Sequence, residues 1–250
     1  MKIVFTPDWF LGGDVLIEVF SFIILFLFFY FAVKNYRLSK NKNSLYLGLG
    51  FLLIAVAELS TILTKLVLYY DVIFAQQIGQ AIITYKVAQS VDIFYYIGFF
   101  LHKFFTLIGF YIIYRLPLKK KSSGDLLIGL AFIVISVLFS QEIYYLFHIT
   151  ALILLALIVQ NYCQVYKENK SQNTKMLIMA FSMLAFSQII FILSKLQVLY
   201  AVAQVIQLGS YLILLILIIR ILRMAKNDKK KQDRYHIRHA GYNKGKRRKN

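Results

Sequence analysis

Long apolar runs separated by short charged segments are the feature that most constrains this chain. The 250 residues are 60% hydrophobic, and the charged side chains are concentrated between the runs. A helix needs about 20 apolar residues to cross a hydrocarbon core of roughly 30 Å. Seven runs meet or approach this length, and none alternates apolar with polar residues as a barrel strand does, so we expect an all-α membrane protein. The predicted spans are Asp14–Lys34, Ser44–Leu66, Val87–Arg115, Asp125–Phe139, Glu142–Tyr166, Lys175–Lys195 and Tyr200–Arg223.

The fourth and fifth runs meet at Ser140-Gln141-Glu142, where the chain has no Gly or Pro. A continuous helix from Asp125 to Tyr166 would be roughly 63 Å long at 1.5 Å per residue. Because an ordinary bilayer is much thinner than this, the sequence predicts two helices joined by a tight turn.

The Lys and Arg residues predict which way the chain crosses the membrane. Of the 29 basic residues, 24 lie in the segments 34–42, 115–121, 167–175 and 220–249, which fall on one side of the predicted bundle. Basic residues in short loops near the spans mark the cytosolic side. The basic segments fall on one side only if the number of spans is odd. The protein is therefore predicted to lie in the cell membrane with its N-terminus outside the cell and its C-terminus in the cytosol.

An internal repeat is visible in the second and sixth spans. When Ala55–Tyr70 is aligned with Ala185–Tyr200, six of sixteen positions are identical. The Asn-Tyr pair at 35–36 matches the pair at 161–162, and the Val-Ala-Gln triplet at 87–89 matches the triplet at 202–204. The difference in residue number between the two triplets, here called their offset, is smaller than the offset between the aligned second and sixth spans. This predicts that the first copy carries extra residues in the external segment after Tyr70.

These matches predict a parallel 3+1+3 repeat. The first copy covers residues 14–115, a connector helix covers 125–139, and the second copy covers 142–223. Because three helices are an odd number, the connector lets both copies face the same way. Repeats of this kind are related by an axis along the membrane normal.

The 3+1+3 layout resembles the PQ-loop and sugar-efflux transporters and the microbial rhodopsins. In the transporters a proline breaks a helix of each repeat, whereas Pro7 and Pro117 of this chain lie outside the spans. The rhodopsins hold retinal on a Lys in the last helix, and the seventh span here has no Lys in its interior. The stretch GFLLIAVAELS, Gly50–Ser60, follows a basic, aromatic loop and resembles the seven-helix sensory modules of prokaryotic signalling proteins. This resemblance implies a receptor-like role.

Ionisable residues inside membrane spans are costly to bury and therefore mark candidate sites. The depth of Glu58 in the second span and of Lys103 in the third predicts an ion pair between them. Such a pair could fix the two helices, bind a ligand or handle protons. The candidates for ligand binding or ion pairing are Glu58, Lys103, Asp92, His102, His148, Gln188, Gln204 and Gln207.

The sequence shows no catalytic or metal-binding pattern. It has no His-Glu-x-x-His motif, no nucleophile elbow and no paired intramembrane carboxylates, and Cys163 is its only cysteine. We therefore expect a non-enzymatic protein with no cofactor and no metal. The leading hypothesis is a receptor or sensor with a polar site in the outer half of the bundle. A small-solute transporter and a structural subunit of a membrane complex are the alternatives.

Residues 225–250 differ sharply from the membrane domain, residues 1–224. They hold eleven basic residues and two acidic ones, and they are poor in apolar side chains. This composition predicts a disordered cytosolic tail. Besides the bilayer itself, the expected partners are anionic lipid headgroups at this tail and a cytosolic signalling protein, with RNA as an alternative to lipid.

The topology can be tested by cysteine labelling in a Cys163→Ser background. A membrane-impermeant thiol reagent should label Lys121→Cys and Gln172→Cys only from the cytosol, because both lie in predicted basic loops. Gln80→Cys should be labelled only from outside. External labelling of Gln172→Cys would contradict the seven-span topology.

Overall fold

Seven α-helices and one short 3-10 helix account for the regular structure of the computed structural model, which describes residues 7–10, 12–77, 84–118, 123–194 and 197–247. The expected all-helical architecture with seven helices is confirmed, and no strand occurs within the described ranges. The helices are α1 (Gly13–Ser39), α2 (Lys42–Gln77), α3 (Thr84–Arg115), α4 (Ser123–Phe139), α5 (Tyr144–Asn169), α6 (Gln172–Ile192) and α7 (Gln197–Arg247).

Six of these helices contain an apolar stretch long enough to cross a bilayer, so the chain is a multi-pass membrane protein. The exception is α4, whose 17 residues extend over roughly 26 Å. The predicted break between the fourth and fifth spans is confirmed, because α4 ends at Phe139 and α5 begins at Tyr144. The short α4 matches the connector of the predicted 3+1+3 layout.

The two halves make the same connection between their first and second helices. Lys40 follows α1 and Lys170 follows α5, and both are left-handed, with φ of 56° and 47°. Each donates its backbone N–H at 2.8 Å, Lys40 to the Tyr36 carbonyl and Lys170 to that of Tyr166. The offset between these turns equals the one predicted from the second and sixth spans. The Asn-Tyr match is wrong by one helical turn, because Tyr36 corresponds to Tyr166 and not to Tyr162.

The third helices of the halves correspond at a different offset from the predicted one. A Cβ on Gly109 of α3 would lie 2.8 Å from the Gly50 carbonyl oxygen, so these two backbones are in close contact. In the second half Ser210 Oγ donates at 2.8 Å to the carbonyl of Ala180, which corresponds to Gly50. Gly109 therefore corresponds to Ser210. The offset taken from the Val-Ala-Gln match is wrong by about four helical turns.

Helix packing follows the same two-fold relation. The contacts of α1 with α2 and of α2 with α3 correspond to those of α5 with α6 and of α6 with α7. The halves meet where α1 contacts α7 and where α3 contacts α5. Because α1 corresponds to α5 and α3 corresponds to α7, exchanging the halves turns each of these contacts into the other. The bundle therefore has a pseudo-two-fold axis between its halves, as parallel repeats do.

Aromatic rings pack where this axis passes through the core. The equivalent residues Phe51 and Phe181 stack with ring centroids 6.2 Å apart and an interplanar angle of 12°. Phe28 packs on Phe51 with centroids 4.1 Å apart, and Tyr162 packs on Phe181 with centroids 6.0 Å apart. These four residues, here called the axial aromatic cluster, join α1, α2, α5 and α6 at the middle of the bundle.

Helix α4 packs against α3 and α5 on the outside of this arrangement. It buries Ile133, Ser136 and Val137, and most of its remaining apolar side chains are exposed to the surroundings. Ser136 Oγ lies 2.7 Å from Thr150 Oγ1 of α5, which satisfies two hydroxyls in an apolar setting. A few buried contacts therefore hold the connector while its outer face meets lipid.

Helices α2 and α3 extend farther than their counterparts α6 and α7 at the end of the bundle where α1 begins, here called the N-terminal end of the bundle. The last residue of α6 corresponds to Ile62 of α2, but α2 continues to Gln77. The first residue of α7 corresponds to Tyr96 of α3, but α3 begins earlier, at Thr84. The first half thus carries a longer helical hairpin, with arms that project by roughly 20 Å. The extra residues predicted after Tyr70 are therefore divided between the two arms.

The expected disordered tail is replaced by a helix. One uninterrupted helix, α7, continues from the membrane domain to Arg247. The segment 225–247 is rich in Lys and Arg, which are good helix formers, and it contains no proline. Because the preceding membrane helix has already met the cost of nucleation, each added residue needs only propagation. Low hydrophobicity therefore does not end this helix.

The close contact of α2 with α3 makes a testable prediction. In Gly109→Ala the new methyl group would lie 2.6 Å from Ile54 Cγ1 and 2.8 Å from the Gly50 oxygen, so the helices must separate. We expect a loss of about 1–3 kcal/mol of unfolding free energy in detergent. Gly209→Ala is the matched control on α7, because its methyl group would meet only the flexible end of Met183, at 3.1 Å. Equal stability of the two variants would contradict the packing.

Candidate functional site

A cavity of about 180 Å³ lies between the two halves at the N-terminal end of the bundle, and we call it the axial cavity. Its lining comes from α1, α2, α3, α5, α6 and α7 and from the turn after α4. Seven of the eight candidates predicted from the sequence line it: Glu58, His102, Lys103, His148, Gln188, Gln204 and Gln207. Asp92 lies on α3, and its side chain falls outside the described part of the structure.

A buried ammonium at this cavity joins three helices. Lys65 of α2 is 1% exposed, and its Nζ lies 2.7 Å from Asp14 Oδ2 and 2.5 Å from Glu18 Oε1 of α1. It also donates to the Tyr200 hydroxyl of α7 at 3.2 Å. Asp14 and Glu18 are one helical turn apart and so share the face of α1 that meets α2. We call Lys65, Asp14, Glu18 and Tyr200 the Lys65 cluster.

The predicted site residue Glu58 is held by α7. Tyr211 donates its hydroxyl to Glu58 Oε1 at 3.0 Å, and Gln207 donates its amide to the same oxygen at 3.1 Å. Gln207 also donates to the Tyr211 hydroxyl at 3.2 Å. Glu58 is 2% exposed, and both donors on α7 bind the same oxygen of its carboxyl group.

The predicted ion pair between Glu58 and Lys103 is wrong. Within the described side chains, Lys103 Nζ donates at 2.9 Å to the Ser140 carbonyl oxygen, and no ion pair joins it to Glu58. Ser140 follows the last residue of α4, where carbonyl groups lack helical partners and the helix dipole is negative. Lys103 therefore caps α4, and the donors on α7 take the place that we expected it to occupy.

The two predicted histidines make different contacts. His102 Nδ1 lies 3.2 Å from the Ala57 carbonyl oxygen and connects α3 to α2. His148 Nδ1 lies 2.8 Å from Gln188 Oε1, and its ring stacks on Phe191 with an interplanar angle of 16°. Because an amide oxygen only accepts hydrogen bonds, Nδ1 of His148 carries the proton in that bond. The described ranges contain no cluster of three His, Cys, Asp or Glu side chains that could hold a metal ion.

The repeat gives the cavity two chemically different walls. At the offset that aligns α1 and α2 with α5 and α6, Glu18 corresponds to His148 and Glu58 corresponds to Gln188. The first half therefore places two carboxyl groups where the second half places an imidazole and an amide. In the second half these groups bind each other, whereas in the first half they bind Lys65 and α7. The backbone is repeated, but among the described lining residues the Glu and Lys side chains all belong to the first half.

Three buried polar atoms at the axial cavity have no hydrogen-bond partner within the described residues. They are Glu18 Oε2, Thr106 Oγ1 and Gln204 Oε1, in residues that are 4%, 7% and 6% exposed. Leaving such an atom unpaired costs about 1–3 kcal/mol, and native interiors contain few of them. All three residues line the same cavity, so their unpaired atoms are concentrated around one space.

Several residues of the site escaped the sequence reasoning. Glu18 and Lys65 were not among the predicted candidates. A signal was present, since Asp14 and Glu18 are spaced for one helix face and Lys65 recurs as Lys195 in the repeat. Thr106 carried no signal, because a single threonine in an apolar helix usually bonds to its own backbone. Lys195 lies outside the described residues.

The Lys65 cluster predicts unequal effects for two lysines of the same cavity. Lys65→Met leaves Asp14 and Glu18 buried without their shared ammonium, so we expect a loss of about 3–5 kcal/mol of unfolding free energy. Lys103→Met is the matched control and removes one bond to a carbonyl group, for about 1–3 kcal/mol. Chemical unfolding in detergent compares them. A Lys103→Met loss equal to or larger than that of Lys65→Met would contradict the assignment.

Comparisons with protein-family models, curated proteins and solved structures return no match for this chain. The likeness to sensory modules, transporters and rhodopsins therefore stays a resemblance of layout. What the site can do has to be argued from its own residues.

Proposed function

We propose that this protein is a seven-helix receptor of the cell membrane, which binds a small molecule in the axial cavity and reports the binding to the cytosol. The observation that carries the proposal is the set of unpaired atoms on Glu18, Thr106 and Gln204. Burying three such atoms around one space is costly for a bundle whose role is only structural. A bound molecule that hydrogen-bonds to them removes this cost, so the proposal gives the cavity a binding role and no catalytic step.

The position of the axial aromatic cluster favours a receptor over a transporter. On the four helices that carry this cluster, every lining residue of the cavity lies between the cluster and the N-terminal end of the bundle. In a receptor, the stacked rings of Phe51 and Phe181 would be the barrier between the cavity and the opposite end. A ligand can then enter from one side and leave by the same side, which suits sensing.

Helix α7 supplies a route from the cavity to the cytosol. It contributes Gln204, Gln207 and Tyr211 to the cavity and continues without a break to Arg247. On the predicted topology its basic end lies in the cytosol, where anionic headgroups attract it and a signalling protein can bind it. A change of α7 at the cavity would therefore reach the partner through a single helix.

A small-solute transporter is the second candidate. The cavity lies on the pseudo-two-fold axis between parallel repeats, which is where transporters of this symmetry bind their substrates. Transport would require Phe51 and Phe181 to separate so that the cavity opens to the opposite side. The two candidates therefore differ in whether the cavity is reached from one side or from both.

Cysteine accessibility distinguishes the candidates, again in a Cys163→Ser background. Thr61 lines the cavity, and Asn43 is exposed at the opposite end of the same helix, α2. In sided vesicles, a small impermeant thiol reagent should modify Thr61→Cys only from the N-terminal side. Asn43→Cys is the control and should react only from the other side.

Reaction of Thr61→Cys from both sides would replace the receptor with a transporter. No reaction from either side, while Asn43→Cys reacts normally, would mean that the cavity is closed to solutes and would contradict both functions.

A further inference from the structure

We infer that the axial cavity binds a small aromatic amine in its ammonium form, with Glu18 and Gln204 as the acceptors. This inference rests on the proposed receptor function and adds the class of ligand. It follows from which atoms of the cavity lack partners, from where the carboxyl groups lie and from the aromatic lining.

Lys65 cannot satisfy the second oxygen of Glu18. An ammonium group has three N–H donors, and those of Lys65 are directed at Asp14 Oδ2, Glu18 Oε1 and the Tyr200 hydroxyl. Glu18 Oε2 is left without a partner in the described residues. A carboxylate oxygen accepts only, so the missing partner has to be a donor, and a cationic donor makes the stronger bond.

Gln204 places a second acceptor beside the same cluster. Its Nε2 donates to the Tyr200 hydroxyl at 3.1 Å, and Tyr200 in turn accepts from Lys65. Glu18 and Gln204 are thus linked through Lys65 and Tyr200, both residues line one cavity, and each has an oxygen without a partner. We assign these two acceptors to a primary ammonium group, which carries several N–H donors. Thr106 Oγ1 of α3 supplies a third partner to the ligand.

The charge distribution orients such a ligand. The carboxyl groups of the cavity belong to α1 and α2, while the equivalent His148 and Gln188 of the second half bind each other. Among the described lining residues the two lysines are both engaged, Lys65 in its cluster and Lys103 at the Ser140 carbonyl oxygen. The carboxyl groups that can bind the cationic end of a ligand therefore lie in the first half, and its other end would face the second.

The remaining lining is suited to an aromatic ring. Phe99, Phe100, Phe147 and Phe191 line the cavity, and rings stabilise both apolar bodies and cations. A cavity of about 150 Å³ can hold benzene, so the axial cavity of about 180 Å³ suits a ring that carries a short amine. Benzylamine is the simplest compound with both parts.

Four compounds that share the benzyl or phenyl group test the inference on the purified full-length protein in detergent. Benzylamine carries the ammonium, benzyl alcohol a neutral donor, benzoate a carboxylate, and benzyltrimethylammonium a cation without an N–H donor. Isothermal titration and the shift in melting temperature measure binding. We expect benzylamine to bind at least about tenfold more tightly than the other three, because only it combines charge with donors.

Two variants test the residues. Glu18→Gln keeps the shape of the side chain and should weaken benzylamine about tenfold or more without affecting benzyl alcohol. Thr106→Val should also weaken benzylamine, yet raise the melting temperature of the empty protein, since it removes an unpaired buried hydroxyl. Thr150→Val is the control, a buried threonine outside the cavity whose hydroxyl is paired. It should lower the melting temperature and leave benzylamine binding unchanged.

Equal binding of benzylamine and benzyltrimethylammonium would overturn the acceptor role of Glu18 and Gln204, and tighter binding of benzoate would overturn the amine. Either result would leave the receptor function standing. Absence of benzylamine binding would also overturn the amine. If Glu18→Gln does not fold, an unchanged benzylamine affinity in Thr106→Val would count against the site. The receptor itself is decided by Thr61→Cys, and it fails if that residue reacts from both sides or from neither.

Discussion

The polar end of the bundle depends on one buried cation. Moving an ammonium group from water into a membrane protein costs several kcal/mol unless carboxyl groups and hydrogen bonds replace its hydration. Lys65 meets this requirement only where α1 brings Asp14 and Glu18 and α7 brings Tyr200. The rotation of α1 and the contact of α1 with α7 are therefore set by the needs of a single side chain. Near the middle of the bundle, apolar packing around the axial aromatic cluster holds the helices together instead.

The fold repeats its backbone without repeating its chemistry. The left-handed turns at Lys40 and Lys170 and the stacked Phe51 and Phe181 keep the halves in register. Around the cavity the equivalent positions have separated into an acidic set on one side and a neutral set on the other. A symmetric scaffold thereby encloses a chemically asymmetric space.

Hydrophobic patterning was enough to predict the helices and the break at Ser140, because both follow from bilayer thickness and chain length. It could not predict the partner of Lys103. Depth along a helix does not tell which way a side chain points around it, and the end of α4 offered a carbonyl group nearby. The register of α3 against α7 failed for another reason, since short polar matches in apolar helices arise by chance. The continued α7 was missed because hydropathy reports membrane insertion and not helix propensity.

The continuity of α7 has a mechanical consequence. From Gln204 to Arg247 the helix is unbroken and roughly 65 Å long. If α7 moves as a rigid rod, a tilt of about 5° displaces its far end by several ångströms. On the proposed receptor function, occupancy of the axial cavity would in this way become a movement of the basic end that another protein can detect.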